Sequence, residues 1–419
     1  MVIGQAATGT DAWIGAGTRE DRIAEGITRA GLDALVATTS ENAEYLSGRP
    51  STIATLWPLP GLVAVAVNAQ GDMAVAAGDQ EIAGYQRAAE RFPYHLWIEH
   101  LDLRGGGSES LSQRVTAARP TGPIDRPAQY ETEQLLDAVA AAIAAASGGR
   151  GRIGLELHSL PAWILEGVRQ RLPAAEFVDA TAVMEDLRVI KDPQEQANLR
   201  LAGLLTDIGI AGARDSLQPG RSAIDVSAAY QTAIWQAVTG DSRYTALRQA
   251  EGLVSVGDGG GPVAVGPGQT IKLDMQVDVG GYHSDIGRTY CLQPFAEQQA
   301  VYDALYHALE AAIAAAVPGE PISDIWQAGT RAMRASGFAN YSRGHLGHSV
   351  GLAHHYEEAP FVSATEHRPL APGMVVSIEL PYYLLGVGSY QMERMVIVGE
   401  SSVEVVDDLP FILDPIAAT

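Results

Sequence analysis

Three aspartates and a histidine lie between residues 271 and 290, in the stretch IKLDMQVDVGGYHSDIGRTY. The pair Gly280-Gly281 predicts a two-residue hairpin turn, because the favoured turns need positive φ at their central positions. That turn pairs Val279 with Tyr282, Asp278 with His283 and Gln276 with Asp285.

The predicted hairpin has two unlike faces, since residues two apart, and residues directly opposite each other, share a face. One face is apolar and packs. It carries Leu273, Met275, Val277, Val279, Tyr282 and Ile286. The other face carries three carboxylates and an imidazole, from Asp274, Gln276, Asp278, His283 and Asp285.

Such a polar face favours a metal site, because neighbouring like charges repel and half-buried carboxylates are costly without a compensating cation. Oxygen ligands on a rigid hairpin suit a hard or borderline divalent ion. The alternative is a solvated hairpin face whose acids have no role.

Further candidate ligands lie in the C-terminal part of the chain. The segment GHLGHSVG, residues 344–351, contains His345 and His348, and His354 and His355 follow. Glu379 and Glu393 lie in apolar runs predicted to be strands, at 374–380 and 390–398. A lone charged carboxylate in such a strand costs several kcal/mol. Either a metal compensates these glutamates, or they lie at strand ends that face water.

Composition limits the class of protein. The chain has 419 residues, 47% of them hydrophobic, and a formal net charge of −22. This charge argues against nucleic acid and anionic membrane surfaces, which attract basic proteins. Cys291 is the single cysteine, so no intrachain disulfide is expected. We find no signal-peptide pattern and no apolar run of about 18 residues, so a cytoplasmic enzyme is expected.

The order of elements indicates two domains. Strands and helices alternate in the first half, which is typical of an α/β domain, and residues 49–61 are expected to form an irregular loop. A boundary is predicted near residues 186–193. After it, two pairs of helices each precede strands, which suggests a duplicated α-α-β-β layout. The predicted helices of this half span residues 194–216, 222–236, 297–316 and 322–336.

These motifs resemble the pita-bread-fold metallopeptidases: methionine aminopeptidase, Xaa-Pro aminopeptidase, Xaa-Pro dipeptidase and the related creatinase. The family has two aspartates eleven positions apart before an Arg-Thr pair, a histidine in G-H-x-x-G, a second histidine seven positions later, and two glutamates in strands. The matching residues are Asp274, Asp285, Arg288, Thr289, His348, His355, Glu379 and Glu393.

The resemblance extends over nearly the whole chain. The N-terminal domain of creatinase and Xaa-Pro peptidases is similar to this chain at Arg22 and in the runs 31–35 (GLDAL) and 42–48 (NAEYLSG). Residues 188–200 are similar to the start of the catalytic domain of these proteins. The implied fold is α+β, with an N-terminal α/β creatinase/prolidase-like domain at residues 1–187 and a C-terminal pita-bread catalytic domain at residues 188–419.

The resemblance implies a pair of divalent cations, which can activate a shared water when about 3.5–4 Å apart. Asp285 and Glu393 would bridge both ions, Asp274 would bind one, and His348 with Glu379 the other. Mn²⁺ or Co²⁺ is expected, with Zn²⁺ or Fe²⁺ as alternatives. Glu379 would also handle a proton, and His355 would stabilise the oxyanion. Four further residues are expected to contact the substrate: His345, His354, Tyr356 and Gln391.

Three departures from the family pattern concern the substrate shell. The loop GDGGGPVAVGPGQT, residues 257–270, lacks the usual histidine. Tyr356 stands where an acid often follows the second histidine. Gln391 stands two positions before the last glutamate, where an arginine is usual. The metal ligands are therefore complete, while the groups that recognise a peptide are altered.

Three functions follow as alternatives. The first is a dinuclear-metal hydrolase of a small peptide or amide, such as an X-Pro dipeptide. The second is a hydrolase or lyase of the same fold acting on a small non-peptide metabolite, similar to creatinase or to dimethylsulfoniopropionate lyase. The third is a non-catalytic binding module, which the intact ligand set disfavours. A homodimer is expected, with the loop at residues 49–61, which contains Trp57, as a wall of the partner's site.

Overall fold

The computed structural model describes residues 13–14, 17–57, 59–97, 101–104, 106–118, 130–259, 263–352 and 357–416. The chain divides into two compact units, one formed largely by Ile14–Leu187 and the other by Arg188–Thr419. Among the described residues, no helix has the length and apolar character needed to cross a membrane.

The first unit is built on one six-stranded sheet in the order β4-β3-β2-β1-β5-β6. The buried helix α5 packs on this sheet through Leu135, Val139 and Ile143. The helices are α1 Arg19–Arg29, α2 Ser40–Ser47, α3 Thr52–Leu56, α4 Leu111–Ala118, α5 Thr132–Ser147, α6 Ala162–Arg171 and α7 Thr181–Val189. The strands are β1 Ala34–Ala37, β2 Ala64–Val67, β3 Met73–Gly78, β4 Glu90–Tyr94, β5 Gly151–Leu155 and β6 Ala175–Asp179.

The second unit contains two helix pairs and two main sheets. Its helices are α8 Pro193–Asp215, α9 Ala223–Val238, α10 Ala296–Ala314 and α11 Ile322–Ala335. Its first strands are β7 Leu247–Val256, β8 Thr270–Val279, β9 Tyr282–His283 and β10 Ile286–Cys291. The later strands are β11 His345–Ser349, β12 Glu358–Ser363, β13 Val375–Glu379, β14 Tyr382–Leu384, β15 Gly388–Tyr390, β16 Glu393–Val398 and β17 Val403–Val405.

Each helix pair precedes a sheet, so the predicted α-α-β-β repetition is confirmed. One sheet has the order β10-β8-β7, with β9 pairing β8, and the other has the order β12-β11-β13-β16-β17. The second sheet is antiparallel throughout. Strands β14 and β15 form a separate two-stranded ribbon.

The hairpin of β8 and β9 has the predicted register. Asp278 pairs with His283 and Val279 with Tyr282. Both turn glycines have positive φ, 63° at Gly280 and 89° at Gly281. The pairing is interrupted after β9, because the Ser284 hydroxyl accepts from the backbone N–H of Val277 at 2.9 Å.

The register resumes unchanged beyond the interruption, with Ile286 of β10 opposite Met275. The face predicted to be apolar is buried: the exposed fraction is 6% or less for Leu273, Met275, Val277, Val279, Tyr282 and Ile286.

Three local predictions were wrong or incomplete. The expected loop at residues 49–61 contains α3, whose N-cap Ser51 is held by Glu81, a partner distant in sequence. The strand expected at 390–398 is two strands, separated where the Gln391 N–H donates to the Thr289 hydroxyl. No strand was predicted for residues 247–256, which form β7; its half-exposed residues lack a clean alternation.

A buried ion pair fixes the end of β10. The Arg288 guanidinium bonds to Asp407, and both side chains are fully buried. It also donates to the carbonyl of Glu393 at 2.8 Å and lies 4.0 Å from the ring centre of Phe411. Removing one partner of such a pair leaves an uncompensated buried charge.

We therefore expect Arg288→Met to lower the free energy of unfolding by about 3–5 kcal/mol. The matched control is Arg200→Met, which breaks the half-exposed pair with Glu404 and should cost about 1 kcal/mol or less. Urea denaturation followed by circular dichroism measures both. Equal losses in the two variants would contradict the structural role of Arg288.

Candidate functional site

A cavity of about 200 Å³ in the second unit brings most of the predicted ligands together. Its walls come from β8, from the segment between β9 and β10, and from β11, β13 and β16. The lining includes Asp274, Asp285, His348, Glu379 and Glu393. All five residues expected to bind metal thus face one space.

Close backbone approach makes this assembly possible. Gly287 of β10 lies against the strand end that carries Glu393, and a Cβ there would stand 2.2 Å from Cγ of Gln391. The Thr289 hydroxyl donates to the Gln391 carbonyl at 3.0 Å. The Ser377 hydroxyl lies 2.8 Å from Oε1 of Glu393 and 3.1 Å from the Asp285 carbonyl. These contacts join the hairpin to the second sheet.

Asp285, His348 and Glu393 form a compact set of donors, each offering one ligand atom within 4.8 Å of the others. Nδ1 of His348 lies 3.0 Å from the Ser349 carbonyl, which can only accept, so this nitrogen carries the proton. Nε2 is then unprotonated in the neutral ring and lies 3.5 Å from Oδ2 of Asp285. A neutral imidazole whose other nitrogen is held in this way is typical of a metal ligand.

Glu379 and Glu393 are directly opposite each other in neighbouring strands. Their exposed fractions are 5% and 1%, so neither lies at a solvated strand end. Nε2 of Gln391 donates to both, at 3.0 Å to Glu379 and 3.1 Å to Glu393. One neutral amide therefore lies between two buried carboxylates.

The Glu379 carboxylate has two further polar neighbours. Nη2 of Arg343 lies 2.9 Å from Oε1 of Glu379, and Nδ1 of His345 lies 3.7 Å from the same atom. His345 also approaches Glu357 at 3.3 Å through Nε2. His345 is therefore beside the predicted ligand Glu379, in line with a supporting position.

Burial and mutual repulsion act together on the central acids. Burial raises the pKa of Asp285 well above its ordinary range, and repulsion from Asp274 and Glu379 adds to this. Burial likewise raises the pKa of Glu393, with repulsion from Asp285 and Asp274. The positive charge of Lys272 acts in the opposite direction and lowers the pKa of Asp285. Carboxylate and imidazole donors so arranged fit divalent cations.

The other residues singled out from sequence have varied positions. Gln276 and His283 line the cavity. Asp278 instead accepts from the Gly281 N–H at 2.6 Å within the hairpin turn. His354, His355 and Tyr356 lie outside the described residues, so their predicted roles stay predictions. Gln391 faces the cavity.

Three site residues were missed by the sequence analysis. Lys272 lies 3.0 Å from Asp274 through Nζ, and its position two residues earlier on the same strand face was a usable signal. Arg343 lies outside any strand, and nothing in its local sequence indicates that it reaches Glu379. Ser377 is one residue of an apolar run, and only the strand pairing shows its role.

Two family profiles match this chain. The profile of metallopeptidase family M24 matches residues 197–400. The profile of the creatinase/prolidase N-terminal domain matches residues 19–190. Together they cover both compact units.

Individual relatives agree with the profiles. A Mycobacterium tuberculosis protein named "Probable dipeptidase PepE" is 31% identical over 256 residues, covering 61% of this chain and 66% of its own length. The Xaa-Pro dipeptidase of Pyrococcus furiosus is 24% identical over 248 residues, which cover 57% of this chain and 68% of the Pyrococcus furiosus protein.

Solved structures show the same fold. The crystal structure of a dipeptidase from Pyrococcus horikoshii OT3 superposes with a TM-score of 0.74 at 20% identity, covering 95% of this chain and 99% of that one. The structure of the dipeptidase PepE from Mycobacterium ulcerans superposes with a TM-score of 0.69 at 24% identity, covering 94% of this chain and 96% of that one. At these identities the likeness establishes the fold alone: a creatinase-type N-terminal domain followed by a C-terminal pita-bread domain. This chain is therefore a member of metallopeptidase family M24, a family that implies divalent metal ions.

Proposed function

We propose that this protein is a hydrolase that depends on two divalent metal ions and cleaves a short peptide of the Xaa-Pro type. The observation that carries the proposal is the cavity in which all five predicted ligands meet. The printed names of the relatives, dipeptidase and Xaa-Pro dipeptidase, support the substrate class. Mn²⁺ or Co²⁺ is the proposed metal, and Zn²⁺ or Fe²⁺ would suit the same donors.

The ligand assignment follows the family resemblance. Asp285 and Glu393 would bind both ions, Asp274 one of them, and His348 with Glu379 the other. When bound, such ions supply a Lewis acid and lower the pKa of a nearby water, so that a nucleophile exists at neutral pH. The compact set of Asp285, His348 and Glu393 supports at least the ion beside the histidine.

Glu379 is proposed to accept and return the proton of the attacking water. Its carboxylate is held by Arg343 through Oε1 and by Gln391 through Oε2, so its orientation is determined by two donors. A fixed orientation is what a general base requires, since geometry precedes pKa in selecting one. His355 keeps its proposed role in stabilising the oxyanion.

The size of the cavity, about 200 Å³, supports a small substrate. Gln391 lines the cavity and keeps its proposed place in the substrate shell. His345, His354 and Tyr356 complete the proposed substrate shell. A homodimer and a cytoplasmic location also remain proposals.

A second candidate is a hydrolase or lyase of a small non-peptide metabolite. Gln391 favours it, because a neutral amide that bridges Glu379 and Glu393 replaces the arginine usual for the family. The carboxylate of a peptide substrate would therefore lack the positive charge of that arginine as a partner. The two candidates differ in substrate, and a peptide panel distinguishes them.

We expect manganese- or cobalt-loaded protein to hydrolyse at least one member of a panel of X-Pro dipeptides and tripeptides. Asp285→Asn should lower kcat/KM by about a hundredfold or more, because it removes a proposed shared ligand. Asp278→Asn is the matched control: it lies on the same hairpin, keeps an oxygen acceptor for Gly281, and should retain activity. Protein that holds two ions yet cleaves no peptide would exclude the peptidase and favour the second candidate.

The raised pKa values of Asp285 and Glu393 predict a pH dependence of stability in chelator. When a carboxyl group has a higher pKa in the folded protein than in the unfolded chain, the folded state loses no stability below about pH 4, because the group is protonated in both states. The loss of stability grows as the pH rises toward the folded pKa. In EDTA the melting temperature of wild type should therefore fall from pH 5 to pH 8 more than that of Asp285→Asn.

Added Mn²⁺ should oppose this fall, since a ligand at 100 times its Kd stabilises by about 2.7 kcal/mol. The gain in melting temperature should be larger at pH 8 than at pH 5, and smaller in Asp285→Asn than in Asp278→Asn. Differential scanning calorimetry measures all of these values. An equal gain in both variants would show that Asp285 is not a ligand.

A further inference from the structure

A pair of hydroxyl groups lies inside the apolar layer between α8 and the hairpin. Ser284 is opposite Val277, since its N–H donates to the Val277 carbonyl at 3.1 Å, so it shares the apolar face of the hairpin. Helix α8 packs against the hairpin, and its buried residues are apolar or small apart from Glu195 and Thr206. Thr206 and Ser284 both have an exposed fraction of 0%, and their hydroxyl oxygens are 2.6 Å apart.

The two hydroxyls form a directed chain of hydrogen bonds. The Thr206 hydroxyl donates to the Ala202 carbonyl at 2.9 Å. Because a hydroxyl has only one hydrogen, the contact between the two side chains is a bond that Ser284 donates to Thr206. The Ser284 oxygen in turn accepts from the Val277 N–H at 2.9 Å. The chain therefore runs from the backbone of β8 through both side chains to the backbone of α8.

These hydroxyls are not needed to hold the helix and the hairpin together. Two buried polar partners can be replaced by apolar groups of the same shape at little net cost, whereas a single partner left alone is strongly unfavourable. An alanine at position 284 and a valine at position 206 would fill the layer equally well. The pair therefore indicates a requirement in the hairpin itself, where the Ser284 hydroxyl accepts a hydrogen bond from the ladder.

The residue that depends on this hydrogen bond is Asp285, which follows Ser284. Opposite residues of an antiparallel ladder can exchange two backbone hydrogen bonds. Ser284 donates one to Val277, but Val277 donates to the Ser284 side chain, which stands in for the Ser284 carbonyl. The peptide group between Ser284 and Asp285 thus lies outside the strands. The Asp285 carbonyl accepts from the Ser377 hydroxyl at 3.1 Å, and Asp285 lines the cavity.

We infer that Thr206 is a positioning residue for Asp285. It holds the Ser284 hydroxyl in the orientation that interrupts the ladder, and so directs the Asp285 carboxylate toward the metal ions. The inference rests on the proposed two-ion function and adds a residue of α8 that does not line the cavity. Without the Thr206 oxygen, the Ser284 O–H loses its acceptor and turns away. The Val277 N–H can then return to the Ser284 carbonyl, which rotates the peptide group before Asp285.

The test is a titration of chelator-treated full-length protein with Mn²⁺, followed by isothermal titration calorimetry. Thr206→Val keeps the shape of the side chain and removes its oxygen. It should raise the Kd for Mn²⁺ by about ten- to hundredfold, the usual effect of losing an outer partner of a metal ligand. Thr206→Ser keeps the hydroxyl and should retain the wild-type Kd.

Thr330→Val is the matched control. Oγ1 of Thr330 is buried and, in the part of the chain that the structure describes, has no hydrogen-bond partner, so its loss should leave the Kd unchanged. An unchanged Kd in Thr206→Val, or a Thr206→Ser variant as impaired as Thr206→Val, would overturn the inference and leave the proposed function intact. Failure of wild type to bind Mn²⁺ would overturn both.

A double-mutant cycle on the same Kd tests the route through Ser284. Ser284→Ala removes the hydroxyl that interrupts the ladder and should raise the Kd as Thr206→Val does. If Thr206 acts through Ser284, adding Thr206→Val to Ser284→Ala should cause no further loss. Losses that add in the double variant would show that Thr206 acts by another route and would contradict the inference.

A spectroscopic measurement separates positioning from a general loss of stability. Because Asp285 is proposed to bind both ions, its orientation affects the magnetic coupling between two bound Mn²⁺ ions. With both ions bound, electron paramagnetic resonance should show weaker coupling in Thr206→Val than in wild type. Leu309→Ala removes a fully buried side chain of α10 and should lower the melting temperature without changing the coupling. The same coupling in Thr206→Val and wild type, or the same change in Leu309→Ala, would exclude a positioning role.

Discussion

Repulsion among closely spaced carboxylates, two partly buried and two fully buried, is the constraint on which the cavity of the second unit depends. Asp274, Asp285, Glu379 and Glu393 line one cavity, and Glu379 pairs with Glu393 across neighbouring strands. Such a group is unfavourable unless cations balance it. The protein accepts this cost within a rigid frame of strands, which is the expected behaviour of a site prepared for ions from solution.

The frame that holds these acids together is itself polar and buried. Arg288 connects β10 with Asp407 and with the backbone of Glu393, where no water can replace the contacts. Gly287 permits the two strands to approach, and the Ser377 hydroxyl lies against both proposed bridging residues. Asp274, Glu379 and Glu393 lie on strands and Asp285 lies in the two-residue segment between β9 and β10, which limits how far the acids can separate when no ion is present.

The polar groups beside the carboxylates depart from the family pattern at Gln391. Gln391 stands where an arginine is usual in the family. Arg343, which lies outside the strands, places its guanidinium beside Glu379. Lys272 brings an ammonium to Asp274. The carboxylates are therefore approached by two protein cations and one neutral amide.

Much of the site followed from local patterns. The alternation along β8 and the Gly280-Gly281 turn were enough to predict the hairpin register, whereas the set of five ligands was implied by the family resemblance and stays a prediction. The most regular helices were also predicted with boundaries close to those observed, since their periodicity is local. Errors arose where a distant partner decides the outcome, as for α3, whose cap depends on Glu81.

The sequence by itself determined the fold family, the hairpin and which side chains could bind metal, because these depend on spacing along one strand or within one motif. Only the tertiary structure decided that Gln391 lies between two glutamates and that Arg343 reaches Glu379. The physical reason is that charge compensation depends on distance in space. Arg343 lies outside any strand and 36 positions before Glu379, and Gln391 reaches Glu379 from the neighbouring strand, so local spacing carries no record of these two contacts.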